Sequence, residues 1–313
     1  MTPRILTVTL NPAIDVTYRV DVLRVGETVR VPDVRSRAGG KGVNVAAVVR
    51  ALGGESLALA LTTTGAPDEF RAGLNRLGLA HRLVPALPAV RRTVAVVTRA
   101  DGTTMLQENG FPAGEPAEAG IVDALRAELA AGAGAVVISG SVPAGLAADV
   151  PAKLARLCVR HEVPVIADVS GAALRFAAGS GAVLMPNETE LAELTGPARA
   201  AADACHDLVA EGASAVVATF GTDGAIAVTP RGAWRARPAE VVTGNPAGAG
   251  DAAAAALARH LGDAGGTSEV DWPVALADVV ATSAAAVLRP VAGEIDVAAR
   301  GRWIRVVKAE RMR

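Results

Sequence analysis

Short apolar runs alternate with helix-length, alanine-rich segments along most of the chain. Ile5–Leu10 reads as a first buried strand. Gly42–Leu52 reads as a helix, with Val43, Ala46, Ala47 and Arg50 at helical spacing. The pairing then repeats. Ala135–Ser139 precedes a helix near Ala147–His161, and Val163–Asp168 precedes Gly171–Ala178. Val183–Met185 leads into a helix from Glu188, and Ala215–Thr219 follows the helix Ala201–Glu211. A run such as Ala135-Val136-Val137-Ile138 does not alternate with polar residues, as expected of a strand covered on both faces in a parallel sheet. The pattern predicts an α/β fold with helices on both sides of a mostly parallel sheet.

Two stretches break the rhythm. Val16–Val34 mixes Val, Tyr and charged residues and offers no crossover helix. Arg92–Gln107 reads as a hairpin, Val94-Ala95-Val96-Val97 turning through Ala100-Asp101-Gly102 into Thr103–Gln107. Together they predict a small second sheet able to act as a lid. No linker and no internal repeat divides the chain, so residues 1–313 read as one domain, with lid segments near 14–36 and 89–110.

Composition narrows the picture. Hydrophobic residues make up 51% and aromatics only 3% of the 313 residues, so Ala, Val and Leu must fill the core. A formal charge of −1 argues against a dedicated nucleic-acid or membrane-surface protein. Cys158 and Cys205 have neither disulfide nor metal-ligand spacing and read as buried small hydrophobes. The start of the chain lacks a leader pattern and no apolar run reaches bilayer length, so the cytoplasm is the expected compartment.

The strongest chemistry lies in Asn245-Pro246-Ala247-Gly248-Ala249-Gly250-Asp251, which runs into an alanine-rich helix. Pro and Gly end what precedes, and glycines leave backbone N–H groups free at a helix start. Such a start receives an anion, for instance a transferring phosphoryl group. Asp251 in the first turn can accept a hydroxyl proton, or simply cap a helix. Gly248–Ala253 also satisfies G-x-G-x-x-A, but far from the first strand where a dinucleotide fingerprint belongs. Gly39-Gly40-Lys41-Gly42-Val43-Asn44 allows close backbone approach to a ligand and is not a P-loop. Asn11-Pro12-Ala13-Ile14-Asp15 follows the first strand's carboxyl end, so Asp15 and Asn44 are placed to clamp vicinal sugar hydroxyls. Asn187 and Glu190, three apart after Val183–Met185, can hold Mg²⁺ through water or form a capping box. Thr219-Phe220-Gly221-Thr222-Asp223-Gly224 offers glycine turns to a nucleotide.

In order and spacing these motifs resemble the ribokinase-like carbohydrate kinases, specifically the phosphofructokinase-B branch. The resemblance runs from Thr9–Asp15 and Gly39–Ala46 through Ser139-Gly140-Ser141-Val142-Pro143, Asp168-Val169-Ser170-Gly171 and Pro186–Leu191 to Asn245–Asp251. It implies a ribokinase-like three-layer sandwich with a small β lid that often builds a homodimer. It further implies ATP and Mg²⁺, and a ketohexose phosphate acceptor of the 1-phosphofructokinase or tagatose-6-phosphate kinase type. Carried over, Asp251 is the base, and Gly248, Ala249 and Gly250 form the anion hole with it. Asp15, Gly39, Gly40, Lys41, Asn44 and Ser141 fall on the sugar side, with Arg30 and Arg91 as candidate phosphate clamps. Asn187, Thr219, Gly221 and Gly224 fall on the ATP side, and Glu190 with Asn187 matches the Mg–phosphate motif. Thr64, Asp68 and Val90-Arg91-Arg92-Thr93 depart from the branch's usual pattern, on segments expected to touch the sugar. Arg92 is close enough to exchange roles with Arg91. Two other readings remain: a kinase of an unphosphorylated sugar or nucleoside, and a catalytically silent sugar-binding regulator.

Overall fold

A computed structural model describes residues 3–98 and 102–312. Ala100 and Asp101 of the expected hairpin turn lie outside them. From the N-terminal side, β1 (Ile5–Thr9) is followed by β2 (Ala13–Val20), β3 (Asp33–Gly39), α1 (Lys41–Ala51) and β4 (Ser56–Thr63). Then come α2 (Glu69–Arg76), β5 (Ala80–Leu87), β6 (Arg91–Thr98), β7 (Thr103–Gln107) and α3 (Ala117–Ala130). The middle of the chain holds β8 (Ala135–Ser139), α4 (Val150–Arg160), β9 (Val165–Asp168), α5 (Ala172–Ala178) and β10 (Val183–Leu184). It continues with α6 (Glu188–Thr195), α7 (Ala201–Ala210), β11 (Ala215–Thr219), β12 (Ala225–Thr229) and β13 (Gly232–Ala236). The last elements are α8 (Ala249–Ala264), α9 (Trp272–Val287), α10 (Val297–Trp303) and β14 (Ala309–Arg311).

Ten strands form the large sheet in the order β14-β13-β12-β11-β10-β9-β8-β1-β4-β5. The seven from β5 to β11 are parallel, and β12, β13 and β14 extend the sheet antiparallel. The short runs of β12 and β13 gave no strand reading in the sequence beyond their glycine turns.

Alternate residues of each central strand face opposite helical layers. Val136 and Ile138 of β8 join the core with Ile121, Leu154, Leu174 and Leu208, from α3, α4, α5 and α7. Ala135 and Val137 join the other core with Val48, Leu257, Leu276 and Ala299, from α1, α8, α9 and α10. In α8, Ala252, Ala253, Ala254, Ala255 and Ala256 are all fully buried. The small side chains let that helix pack against α1, α9 and the sheet at once. Both cysteines are buried, and burial pushes each thiol up to about 12.

The segments that broke the rhythm form a separate four-stranded sheet, β3-β2-β6-β7. β2 pairs parallel with β6, and the outer pairs are antiparallel. One face of this sheet packs through Ile14, Val16 and Ala38 on Phe70 and Leu74 of α2 and on Ala58 and Ala60 of β4.

Candidate active site

A cleft of about 930 Å³ opens between the small sheet and the carboxyl ends of the parallel strands. Strand order reverses beside β1, the place where open α/β sheets bind ligands. The small sheet contributes mainly alternate residues: Asp15 and Thr17 of β2 with Val16 between them, Arg91, Thr93 and Ala95 of β6, and Thr103, Met105 and Gln107 of β7. Opposite them lie Gly40, Lys41 and Asn44 at the start of α1, Asn187 and Glu190 at the start of α6, and Asn245–Asp251.

Helix α8 starts with Gly248 in the left-handed conformation (φ 85°). A Cβ there would stand 2.8 Å from the Cα of Ala292, so glycine is required on two counts. The Ala249 amide turns back to the Pro246 carbonyl at 3.2 Å. The expected anion hole is corrected accordingly: the amides of Gly250 and Asp251, in the open first turn, remain for a ligand. Asn245 ties this loop down, accepting from the Ala247 amide (3.2 Å) and donating to the Pro290 carbonyl (3.1 Å).

The Asp251 carboxylate is 6% exposed and accepts from Asn44 Nδ2 at 2.9 Å. Burial pushes it up to about 7, against the opposing pull of Lys41 and the Asn44 hydrogen bond. Lys41 donates to Asp168 Oδ1 at 3.0 Å, and Ser139 donates to Asp168 Oδ2 at 2.7 Å. Asp168, then Asp251 and Glu190, hold the lysine firmly charged against its desolvation. One ammonium therefore stands among three carboxylates where the ends of β8 and β9 meet the starts of α1, α6 and α8. Asp15 is also raised, to about 6, by burial that Arg37 and Arg91 only partly offset. Gly39 is bare because a Cβ would run into the Asp15 carboxylate.

Asn187 and Glu190 form a complete capping box on α6, each side chain accepting the other's backbone N–H at 2.9 Å. The structural and ligand readings coexist. The box uses Asn187 Oδ1 and Glu190 Oε2, leaving Asn187 Nδ2 and Glu190 Oε1 at the cleft. Asn187 can donate there, and its Oδ1, which accepts one backbone N–H, keeps a second lone pair for a water. Burial raises the Glu190 pKa above the usual carboxylate range. Among the described residues, no three His, Cys, Asp or Glu side chains cluster as an all-protein metal cage. The donor set suits a hydrated Mg²⁺ shared with phosphates, which needs only one or two carboxylates.

A second pocket of about 440 Å³ continues from the cleft past Thr219, Gly221 and Gly224. Val241, Val242, Val279, Ala284 and Val287 make it apolar, and Ser283, Thr243 and Glu240 add polar edges. The Oε1 of Glu240 accepts from Trp303 Nε1 at 2.9 Å. Sequence reading missed this wall, because it comes from a loop and a helix with no local signature.

Three expectations on the sugar side need correction. Arg30 is exposed and lines a groove with Arg19, Arg24 and Asp33, outside the cleft. Ser141 is exposed and does not line the cleft either, although it accepts from Asn11 Nδ2 at 2.9 Å. Thr64 and Asp68 also lie elsewhere: Asp68 caps α2 through the Arg71 amide and accepts from Thr62. The structure separates Arg91 from Arg92. Arg91 lines the cleft and donates to the Glu108 carbonyl at 2.9 Å, while Arg92 turns out to Glu69 at 3.0 Å. Arg37, passed over in the sequence, lies against Asp15.

Comparison with known proteins adds an independent line. The family model described as pfkB family carbohydrate kinase matches residues 8–297. A 1-phosphofructokinase of Xanthomonas campestris pv. campestris is 36% identical over 273 residues, covering 84% of this chain and 86% of that one. An ATP-dependent 6-phosphofructokinase isozyme 2 of Mycobacterium tuberculosis is 35% identical, covering 83% and 78%. The structure of phosphofructokinase-2 from Escherichia coli in complex with fructose-6-phosphate superimposes with a TM-score of 0.84 at 24% identity, covering 97% and 98%. A ribokinase from Thermotoga maritima superimposes at 0.72. The fold is ribokinase-like, a large mostly parallel sheet between helices with a smaller sheet beside it.

Proposed function

The chain belongs to the pfkB family of carbohydrate kinases, and from that premise we propose how its cleft transfers a phosphoryl group from ATP to a ketohexose phosphate. The reaction is that of its curated relatives, named for fructose phosphates. The observation that carries the site reading is Asp251: buried, held by Asn44, and at the open end of α8.

The acceptor sugar lies against the small sheet, with Asp15 and Asn44 at its hydroxyls and Arg91 at its phosphate. A phosphate dianion needs fixed positive partners, and a guanidinium meets it with two parallel hydrogen bonds. The adenine enters the apolar pocket beside Val279 and Val287, and the phosphates run past Asn187 toward α8. Asp251 takes the proton from the attacking hydroxyl. Lys41 and the amides of Gly250 and Asp251 stabilise the charge on the transferring group. Mg²⁺, when bound, neutralises phosphate charge, and Glu190 is the residue that would hold it through water. The small sheet closes as a lid that keeps water from the phosphoryl group.

We place the reaction in the cytoplasm, where ATP and sugar phosphates are made. We also propose that the small sheet pairs with a second copy of the chain. Its face away from the cleft exposes Val34 (54%) and Leu106 (57%), and the β2–β3 loop exposes Val25 (99%).

A coupled assay of ADP release tests the acceptor class over fructose 1-phosphate, fructose 6-phosphate, tagatose 6-phosphate and free fructose. One of the phosphates should show the highest kcat/KM. If free fructose exceeds all three, the acceptor is an unphosphorylated sugar and Arg91 has another role.

A further inference from the structure

Beside the base, two buried polar atoms of described residues have no hydrogen-bond partner: Nη2 of Arg37 and Oδ1 of Asn44. One is a donor and the other an acceptor. Arg37 stands directly opposite Asp15 in the β2–β3 ladder, so both side chains emerge from the same face of the small sheet. Its Nε makes only a long contact to the Ala38 carbonyl, at 3.4 Å. The charged groups that face it are Asp15 and Glu294, and Glu294 is itself paired with Arg289 at 3.5 Å.

Both orphaned atoms converge on the bare backbone of Gly293 (φ 80°). A Cβ there would lie 2.8 Å from Arg37 Nη2 and 2.9 Å from Asn44 Oδ1. The other end of the Asn44 amide donates to Asp251 at 2.9 Å. Thus a cation on the small sheet, an amide on α1 and the base on α8 are successive neighbours.

We propose that Arg37 is a positioning residue for the base. As the small sheet closes over the acceptor, its Nη2 donates to Asn44 Oδ1 and so keeps Asn44 Nδ2 on the Asp251 carboxylate. An amide has a donor end and an acceptor end. Turned round, Asn44 would set its oxygen against Asp251 and repel it. The Asp251 carboxylate selects the donor end while it is charged, and a donor at the far end holds the same orientation when Asp251 takes up a proton; Arg37 is that donor. Arg37 is not among the residues lining the cleft, so its route to the chemistry runs through Asn44. The inference rests on Asp251 being the base, and it links occupancy of the sugar side to readiness of that base.

A double-mutant cycle of Arg37→Met with Asn44→Ala, read as kcat and both KM values, tests it. Arg37→Met should lower kcat roughly 10- to 100-fold, the scale of a misplaced catalytic group, with the KM for ATP nearly unchanged and only a smaller rise in that for the sugar phosphate, whose hydroxyls Asn44 meets. In the Asn44→Ala background the same change should cost almost nothing further. An equal fall in both backgrounds overturns the link. So does an effect confined to the KM of the sugar phosphate, which would make Arg37 a substrate contact. If circular dichroism shows Arg37→Met misfolded, Arg37→Lys, which keeps the charge beside Asp15 but loses the fork, takes its place with the same expected loss of additivity. Asp251→Asn run in parallel separates the failures. If that variant keeps its turnover, the base assignment fails, whereas an additive cycle alone removes only the Arg37 link.

Discussion

Asp251 is buried in a form that prefers to be neutral, yet the role proposed for it needs it charged. Its carboxyl binds protons more tightly folded (about 7) than unfolded (3.8), chiefly through burial. Stability from this group is therefore fully present below about pH 4 and lost as pH rises through 7. Asp251→Asn should lose ~10²–10⁴-fold in kcat, the range for a positioned base. By thermal melts it should be at least as stable as wild type at pH 8, with the gap closing toward pH 4. The wild-type kcat/KM should fall below about pH 7 as the base protonates. Near-normal turnover in the asparagine variant would leave Asp251 a capping residue. Arg91→Ala should raise the KM for the sugar phosphate roughly tenfold or more and leave that for ATP alone, since one charge-assisted contact is lost on one side. Arg92→Ala should change neither, because its partner is Glu69. Much of this was legible in the sequence, because glycine turns and helix starts are local signals. Asp15, Asn44, Lys41, Asn187 and Asp251 all line the cleft. Arg30 and Arg37 were not legible: both lie on segments of the small sheet, and only the β2–β3 register decides which arginine faces Asp15.

At the scale of elements, α8 carries Asp251 at one end and is stitched to its neighbours near the other. Arg300 of α10 meets Asp278 of α9 through Nη2 at 2.7 Å to each carboxylate oxygen. His260 of α8 lies 3.1 Å from the same carboxylate, and Thr282 donates to it at 2.8 Å. Burial pushes the Asp278 carboxyl upward, but the hydrogen bonds from His260 and Arg300 and the charge of Arg300 outweigh it and hold it at about 2. The sign is opposite to that of Asp251. The stabilisation is present above pH 4 and is lost as pH falls toward 2. Asp278→Ala leaves Arg300 half-buried without its partner and should cost about 3–5 kcal/mol in urea unfolding at pH 7. A loss under ~1 kcal/mol would mean that Arg300 finds water instead. Other elements show what a periodicity reading can reach. β8, β11 and the start of α6 fall where the unalternating runs and the Asn187 cap put them, because burial on both faces and capping are written locally. The antiparallel extension β12-β13-β14 is not written so. Five- and three-residue runs become strands only through their partners, and β14 pairs across the sheet edge with β13, some seventy residues earlier in the chain.

For the molecule as a whole, the small sheet gives the cleft one wall and leaves apolar side chains bare on its far face. Sedimentation velocity should show a dimer, and Val34→Asp with Leu106→Asp should shift it to monomer while leaving the melting temperature close to wild type. A monomer at all concentrations would show that this face has another purpose. The sparing use of aromatic residues has a separate consequence. Of the three tryptophans, Trp234 lies on β13, Trp272 on α9 and Trp303 on α10, with Trp303 bonded to Glu240 at the rim of the apolar pocket. The lone tyrosine, Tyr18, is on β2. The chain thus has an intrinsic optical reporter at one end only. With adenine in the apolar pocket as proposed, emission excited beyond tyrosine absorbance should change as a nucleotide reaches the Glu240–Trp303 contact, whereas a sugar settling against β2 and β6 has no tryptophan on those strands to report it. Order of substrate binding can therefore be followed in the unlabelled protein by the light it already emits.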